Sequence, residues 1–295
     1  MTTLPYGIAP PGYRLPAETR LGRVVLQVAD LERSLSYYQR VLGLRPLEGE
    51  PGRAVLGPHG DDTAIVELRE LPGARPVPPR GRLGLYHFAI LLPDRAALAR
   101  FLAHLAALGE RAGMSDHLVS EALYLTDPDG LGIEVYADRP RSSWRVRDGQ
   151  LVMATDPLDV ADLLAAAGGE SWTGAPAGTT LGHVHLHVGD LERAADFYHR
   201  GLGLDQVVWS YPGALFLSAG GYHHHLGVNT WARGAEPARE GDARLVEWEM
   251  LLPSARDAAT ALDSLAVAGA DVQRNGDGGM TRDPWGVGVR LRAAA

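Results

Sequence analysis

The sequence predicts an α+β protein made of four βαβββ modules paired into two half-barrel clefts. Three observations carry that prediction. The stretch LGRVVLQVADLERSLSYYQRVLGL (Leu21 to Leu44) matches LGHVHLHVGDLERAADFYHRGLGL (Leu181 to Leu204) at 14 of 24 positions without a gap. A fainter pair, GLYHFAILLPD around His87 and LVEWEMLLPS around Glu247, keeps the same offset of 160 residues. TDPDGLGIEVY (Thr126 to Tyr136) then matches RDPWGVGVRL (Arg282 to Leu291). Internal repetition of this kind marks a supersecondary unit used more than once.

Each unit opens with a short apolar strand that runs into a helix N-cap: Asp30, Asp94, Asp190 and, in the fourth unit, Ser254. A short oxygen-bearing side chain there accepts a hydrogen bond from a free N–H of the first turn. In the first unit Leu31, Leu35, Tyr38 and Leu42 form the buried stripe of the helix and Gly43 ends it; in the second the stripe is Leu98, Phe101, Leu102 and Leu105, with Gly109 as the stop. Short alternating runs with Gly, Pro and Asp turns follow each helix, which makes the unit β-α-β-β-β. A sheet covered by one helix keeps its other face free, so two units can enclose a cleft. The modules are expected near residues 21–72, 84–138, 181–231 and 244–292. Residues 1–144 then hold modules one and two, and 179–295 hold modules three and four. Residues 145–178 read as a connector, with a helix that starts at Asp156-Pro157 and ends at Gly168.

The bulk properties narrow the functions. Hydrophobic residues make up 45% of the 295 and charged residues 22%, with a net charge of -8. That gives no basic footprint for nucleic acid or for an anionic membrane. No run approaches the length of a membrane helix and the N-terminus has no apolar leader, so a cytoplasmic protein is expected. There is no cysteine, so any metal is held by nitrogen and oxygen. The sequence leaves a homo-oligomer open.

Histidine, with 11 residues, is the informative count. His183, His185 and His187 alternate along one strand and share a face, whereas Val184, Leu186 and Val188 take the helix side. They are either a hydrogen-bonded polar lining or ligands. His87 holds the matching place in module two and faces the cleft, because Phe88, Ile90 and Leu92 face the helix. Glu134, between Ile133 and Val135, points the same way, and a buried carboxylate needs a partner, either a metal or an arginine. Two His and one carboxylate form the facial triad of non-haem Fe(II) oxygenases, although Zn(II), Mn(II) and Ni(II) accept the same donors. GGYHHHLGVNTW (Gly220 to Trp231) is read as the last strand of module three, delivered by a tight turn at Gly220-Gly221, with His224 on the face of Tyr222 and Leu226, opposite His223 and His225. A run of surface histidines is the other reading of that segment. Leu85, Phe216 and Trp231 are candidates for shaping the pocket.

YHFAILLPDR, the run from Asp116 to Trp144, GHVHLHV and SAGGYHHHLGVNTW together resemble the vicinal oxygen chelate superfamily. The chain as a whole is similar to the type I extradiol ring-cleaving dioxygenases, in particular the bacterial catechol 2,3-dioxygenase family. That resemblance implies Fe(II), with Mn(II) as a substitute, held by His87, Glu134 and His183. It also implies the glyoxalase/bleomycin-resistance/extradiol dioxygenase fold, His224 as acid/base, Tyr124 as a second catalytic residue and His117 near the substrate; His185, on the cleft face of its strand, and Trp231 are read as further substrate contacts. The implied substrates are a catechol and O₂, and the implied product is a ring-opened semialdehyde. A glyoxalase-like isomerase or lyase, and a metal-free binding or resistance protein, are the alternatives on the same fold. The chain departs from the best-known members, which take the second His and the Glu from module four. Here module four has Glu247 and Arg290 at those places, and module one has Arg23. All three ligands therefore fall in modules two and three, which requires those two modules to share a cleft.

Overall fold

The computed structural model describes residues 6–294. Residues 1–5, the start of the N-terminal segment read above for a leader, and residue 295 lie outside it. The α+β architecture rests on two eight-stranded sheets. One runs, edge to edge, Asp205–Val208, Ala214–Ser218, Leu226–Asn229, Thr180–His187, Gly84–Leu91, Gly132–Asp138, Ser120–Thr126 and Gly113–Asp116. The other repeats the pattern with Val272–Asn275, Gly278–Arg282, Gly288–Ala293, Arg244–Leu252, Arg20–Val28, Val66–Glu70, Arg53–Gly57 and Arg45–Glu50. Each sheet is thus closed at its middle by an antiparallel pair of unit-opening strands: Thr180–His187 against Gly84–Leu91, and Arg20–Val28 against Arg244–Leu252.

The helices start where the side-chain caps put them. Asp30 accepts from the Arg33 amide, Asp94 from Ala97, Asp190 from Arg193 and Ser254 from Asp257. Each such cap is worth about 1 kcal/mol against alanine. The helix Arg95–Leu108 buries Leu98, Phe101, Leu102 and Leu105 and stops at Gly109, whose φ of 71° is left-handed. The helix Leu31–Arg40 buries Tyr38 but leaves Leu31 and Leu35 half-buried. The connector differs from expectation. Its helix is shorter, Val160–Ala165, and its cap is Asp159. Asp156 is instead held extended by a backbone pairing with Asp116, which keeps the chain out of helix for three more residues. No helix among the described residues is long and apolar enough to cross a membrane.

The repeated DP-x-G turns brace the helices. Asp127 accepts from the Asp129 and Leu131 amides at 2.9 and 2.8 Å and from the Tyr38 hydroxyl at 3.3 Å. Asp283 accepts from Trp285 and Val287 at 2.9 and 2.8 Å and from the Tyr198 hydroxyl at 2.8 Å. Sheets therefore join units two with three and one with four, whereas these buttons tie one to two and three to four.

Burial pushes the Asp127 carboxyl up to about 7 and that of Asp283 up to about 6, from an ordinary 3.8. Between 3.8 and those values the folded chain holds protons that the unfolded chain has released, so their stabilisation is complete below 3.8 and is lost as pH rises through about 7 and about 6. The melting temperature of wild type relative to Asp127→Asn should therefore fall between pH 4 and pH 7, at roughly 2–4 °C for each kcal/mol lost. Parallel melting curves across that range would show that Asp127 carries no such proton.

Candidate metal centre and its cavity

The central strand pair of the first sheet sets the geometry. Its register brings Tyr124, Glu134, Ala89 and His183 into one row across four strands. A second row holds His87, His185, Gly227 and Phe216. Two irregularities interrupt the pairing, with Gly182 as the extra residue on one strand and Tyr86 on the other. Bulges re-aim neighbouring side chains, and these two flank the histidines. A side chain at Gly182 would lie 1.8 Å from the Tyr136 hydroxyl, and one at Gly227 would lie 2.8 Å from the His185 ring. Only glycine fits either place.

Nε2 of His87 lies 3.0 Å from Oε2 of Glu134, and Nε2 of His183 lies 3.3 Å from the same oxygen. The two Nε2 atoms are 3.3 Å apart. Ligand atoms about 2.1 Å from a shared ion stand about 3.0 to 3.4 Å apart, for angles between a right angle and the tetrahedral one. The three separations fall in that span, so the donor set fits a metal. All three residues are buried. The Nδ1 atoms of both histidines are buried without a partner among the described residues, so what fixes the rings is packing and whatever joins their Nε2 atoms. Burial works against an ionised Glu134, but His183 and His87 outweigh it and hold the carboxyl well below the usual range. Burial pushes His183 down to about 4. A carboxylate and a neutral imidazole are the forms in which these side chains bind metal.

The cluster forms one wall of a cavity of about 230 Å³. His224 lies on the same wall, its ring 4.0 Å from that of His183. Burial, with His183 and His223 adding to it, pushes His224 well below the ordinary histidine value, so the ring is neutral. Tyr124 donates to Nε2 of His117 at 2.5 Å, because Nδ1 of His117 donates to the Ala154 carbonyl at 2.7 Å. His185 accepts from the Asn229 amide at 3.0 Å and faces the same space, and Trp231, half exposed, stands at its mouth.

The model of the Glyoxalase/Bleomycin resistance protein/Dioxygenase superfamily matches residues 20–135 and 180–291. The chain belongs to this superfamily. It is 44% identical over 271 residues to the catechol-2,3-dioxygenase of Bacillus subtilis (strain 168), covering 90% of this chain and 94% of that one. Among solved structures, a protein of Bacillus subtilis subsp. subtilis str. 168 described as a dioxygenase aligns with a TM-score of 0.65 at 16% identity, over 95% of this chain and 86% of that one. Glyoxalase I from Zea mays aligns at 0.57 and 21%, over 94% and 92%. Both share this chain's fold.

Within this superfamily fold, one sequence expectation about a strand is corrected. Gly220 to His225 is a turn, and the strand begins at Leu226. Gly220 and Gly221 both have positive φ, 61° and 64°, which breaks the alternation assumed from Tyr222 to Leu226. His224 nevertheless reaches the cavity. Leu85 does not: it packs beside the core and borders a separate small groove, because the bulge at Tyr86 turns it away. Sequence reading missed Tyr86, Ser115, Met153, Ala154, Thr155 and Tyr211, which also line the cavity. Three of them, Met153 to Thr155, come from the stretch read as a connector, whose turn-rich composition carries no site signal.

The grouping predicts that His87→Ala, Glu134→Ala and His183→Ala each lose at least tenfold in metal affinity, whereas His224→Ala retains about one ion per chain, as measured by elemental analysis after dialysis. Equal retention in all four would refute the donor set.

Proposed function

We propose that this chain is an Fe(II)-dependent extradiol dioxygenase that opens the ring of a catechol with O₂ to a 2-hydroxymuconic semialdehyde-type product. The observation that carries this reading is the convergence of His87, Glu134 and His183 on one point in the wall of a cavity that also presents His224 and Tyr124. The 44% identity to a catechol-2,3-dioxygenase supports it. Two histidines and one carboxylate leave positions for substrate, as in non-haem iron oxygenases. Bound there, the ion would supply Lewis acidity and a redox centre for the diol and O₂.

The protein's own groups do the rest. A neutral His224 accepts the proton of a catechol hydroxyl and can return it to the product, which suits an imidazole. The Tyr124 hydroxyl, high in pKa through burial and the nearby Glu134, stays protonated; with its proton given to His117, its oxygen accepts a hydrogen bond from a substrate hydroxyl. Phe216, Tyr86 and Trp231 give the ring an apolar seat and exclude water. No arginine lines the cavity among the described residues, so a carboxylate on the substrate would find no guanidinium to offset its charge there. The reading therefore favours catechols with no substituent or an apolar one.

Apoprotein loaded anaerobically with Fe(II), given catechol and then air, should take up O₂ and form a yellow ring-opened product. kcat/KM for catechol and methylcatechols should exceed that for protocatechuate by at least tenfold. His224→Ala should keep its iron and lose about 100-fold in kcat. If none of several catechols drives oxygen uptake, the reaction assigned here is wrong.

A further inference from the structure

Behind His224 lies a buried chain of hydrogen bonds that the reaction so far leaves unused. Nδ1 of His224 faces Nδ1 of His223 at 2.7 Å. Nε2 of His223 lies 2.8 Å from Oδ1 of Asp138, and the Tyr222 hydroxyl donates to the same oxygen at 3.1 Å. Tyr136 completes the row at 2.7 Å from the Tyr222 oxygen. His223 is fully buried, whereas the Asp138 side chain is 29% exposed. The rings of Tyr222, Trp144, Tyr136 and His224 pack around His223, their centroids 4.1, 5.5, 5.9 and 4.6 Å away.

We propose that Asp138, acting through His223, fixes the tautomer of His224 and leaves its Nε2 bare toward the cavity. Asp138 and His223 are positioning residues in this scheme, because neither reaches the substrate. The argument is donor counting. An ionised carboxylate can only accept, so His223 must carry its proton on Nε2. A His223 that carries a single proton, on the nitrogen facing Asp138, has a bare Nδ1, and at 2.7 Å the opposing Nδ1 of His224 is then the donor. A neutral imidazole has one N–H, so Nε2 of His224 keeps its lone pair. Among the described residues Nε2 of His224 makes no hydrogen bond, and the residue lines the cavity.

The same counting orders the tyrosines. Tyr222 gives its proton to Asp138, so Tyr136 must donate to Tyr222. Tyr136 reaches that place by passing over Gly182, which ties the row to the bulge beside His183. Without the carboxylate, His223 could carry its proton on Nδ1. His224 would then accept it and turn an Nε2–H toward the cavity, where a base is needed. When Nε2 takes a proton from substrate, the positive ring still donates from Nδ1 to His223, and Asp138 offsets part of that charge.

The inference rests on the proposed role of His224 as a base, but its primary test does not need turnover. Histidine-¹⁵N-labelled protein, loaded with diamagnetic Zn(II), is examined by long-range ¹H–¹⁵N correlation, with His224→Gln for assignment. Wild type should show His224 protonated at Nδ1 only; a proton on Nε2 of wild-type His224 overturns the proposal. Asp138→Ala should show a mixture of the two tautomers. In the iron-loaded enzyme that variant should lose about tenfold in kcat, a part of the roughly 100-fold that a positioned acid–base group supplies, with KM and iron content within twofold of wild type. An unchanged tautomer and unchanged kcat in Asp138→Ala would also overturn it. If no catechol is cleaved at all, the reaction assignment fails while the spectra still decide the tautomer.

Discussion

Everything at the site depends on one buried carboxylate held between two imidazoles on a single sheet. Glu134 lies deep in the protein, where an ionised carboxyl is costly without a partner. His87 and His183 approach one of its oxygens from the two strands of the central pair. That meeting demands that units two and three be neighbours, that Gly182 and Tyr86 break the pairing on either side, and that Ala89, between Glu134 and His183 in the row, be small. The sheet pairing is thus a condition of the chemistry as well as of the core.

The other sheet shows what the same fold does without those donors. Arg290 binds Glu247 through two hydrogen bonds, 2.7 and 2.9 Å, at the positions that answer to Glu134 and His87. Arg23, answering to His183, lies between Glu67 and Glu249 at 3.2 and 3.4 Å. A guanidinium has no lone pair to offer a cation, so these residues pair with one another where the first sheet presents its three donors. The repeat has diverged in charge while keeping its caps, its DP-x-G turns and its sheet order.

Much of this was legible in the sequence, for identifiable reasons. The four N-caps, the Gly109 stop and the burial of Leu98, Phe101, Leu102 and Leu105 follow from local rules that tertiary context did not override. His87, Glu134 and His183 announced themselves as polar residues set among strand hydrophobes, and the structure brings them together. The two strand errors share one cause. Alternation was assumed from Tyr222 to Leu226, directly after two left-handed glycines, where the chain is still a turn, and past Tyr86, where a bulge shifts the phase. A bulge is a property of strand pairing and leaves little trace in one strand alone. The network of Asp138 and His223 was invisible for a related reason: it joins the end of one strand to a turn 85 residues away, and neither end has a motif.

The central claim is that one sheet of the two holds a metal and that it does so through His87, Glu134 and His183. An anomalous difference map at the iron edge, from crystals of iron-loaded protein, tests it most directly. The account predicts one peak per chain, bonded to Nε2 of His87, Nε2 of His183 and a carboxylate oxygen of Glu134, with no peak near Glu247, Arg290 and Arg23. A peak in the second sheet, or one bound without Glu134, would contradict it.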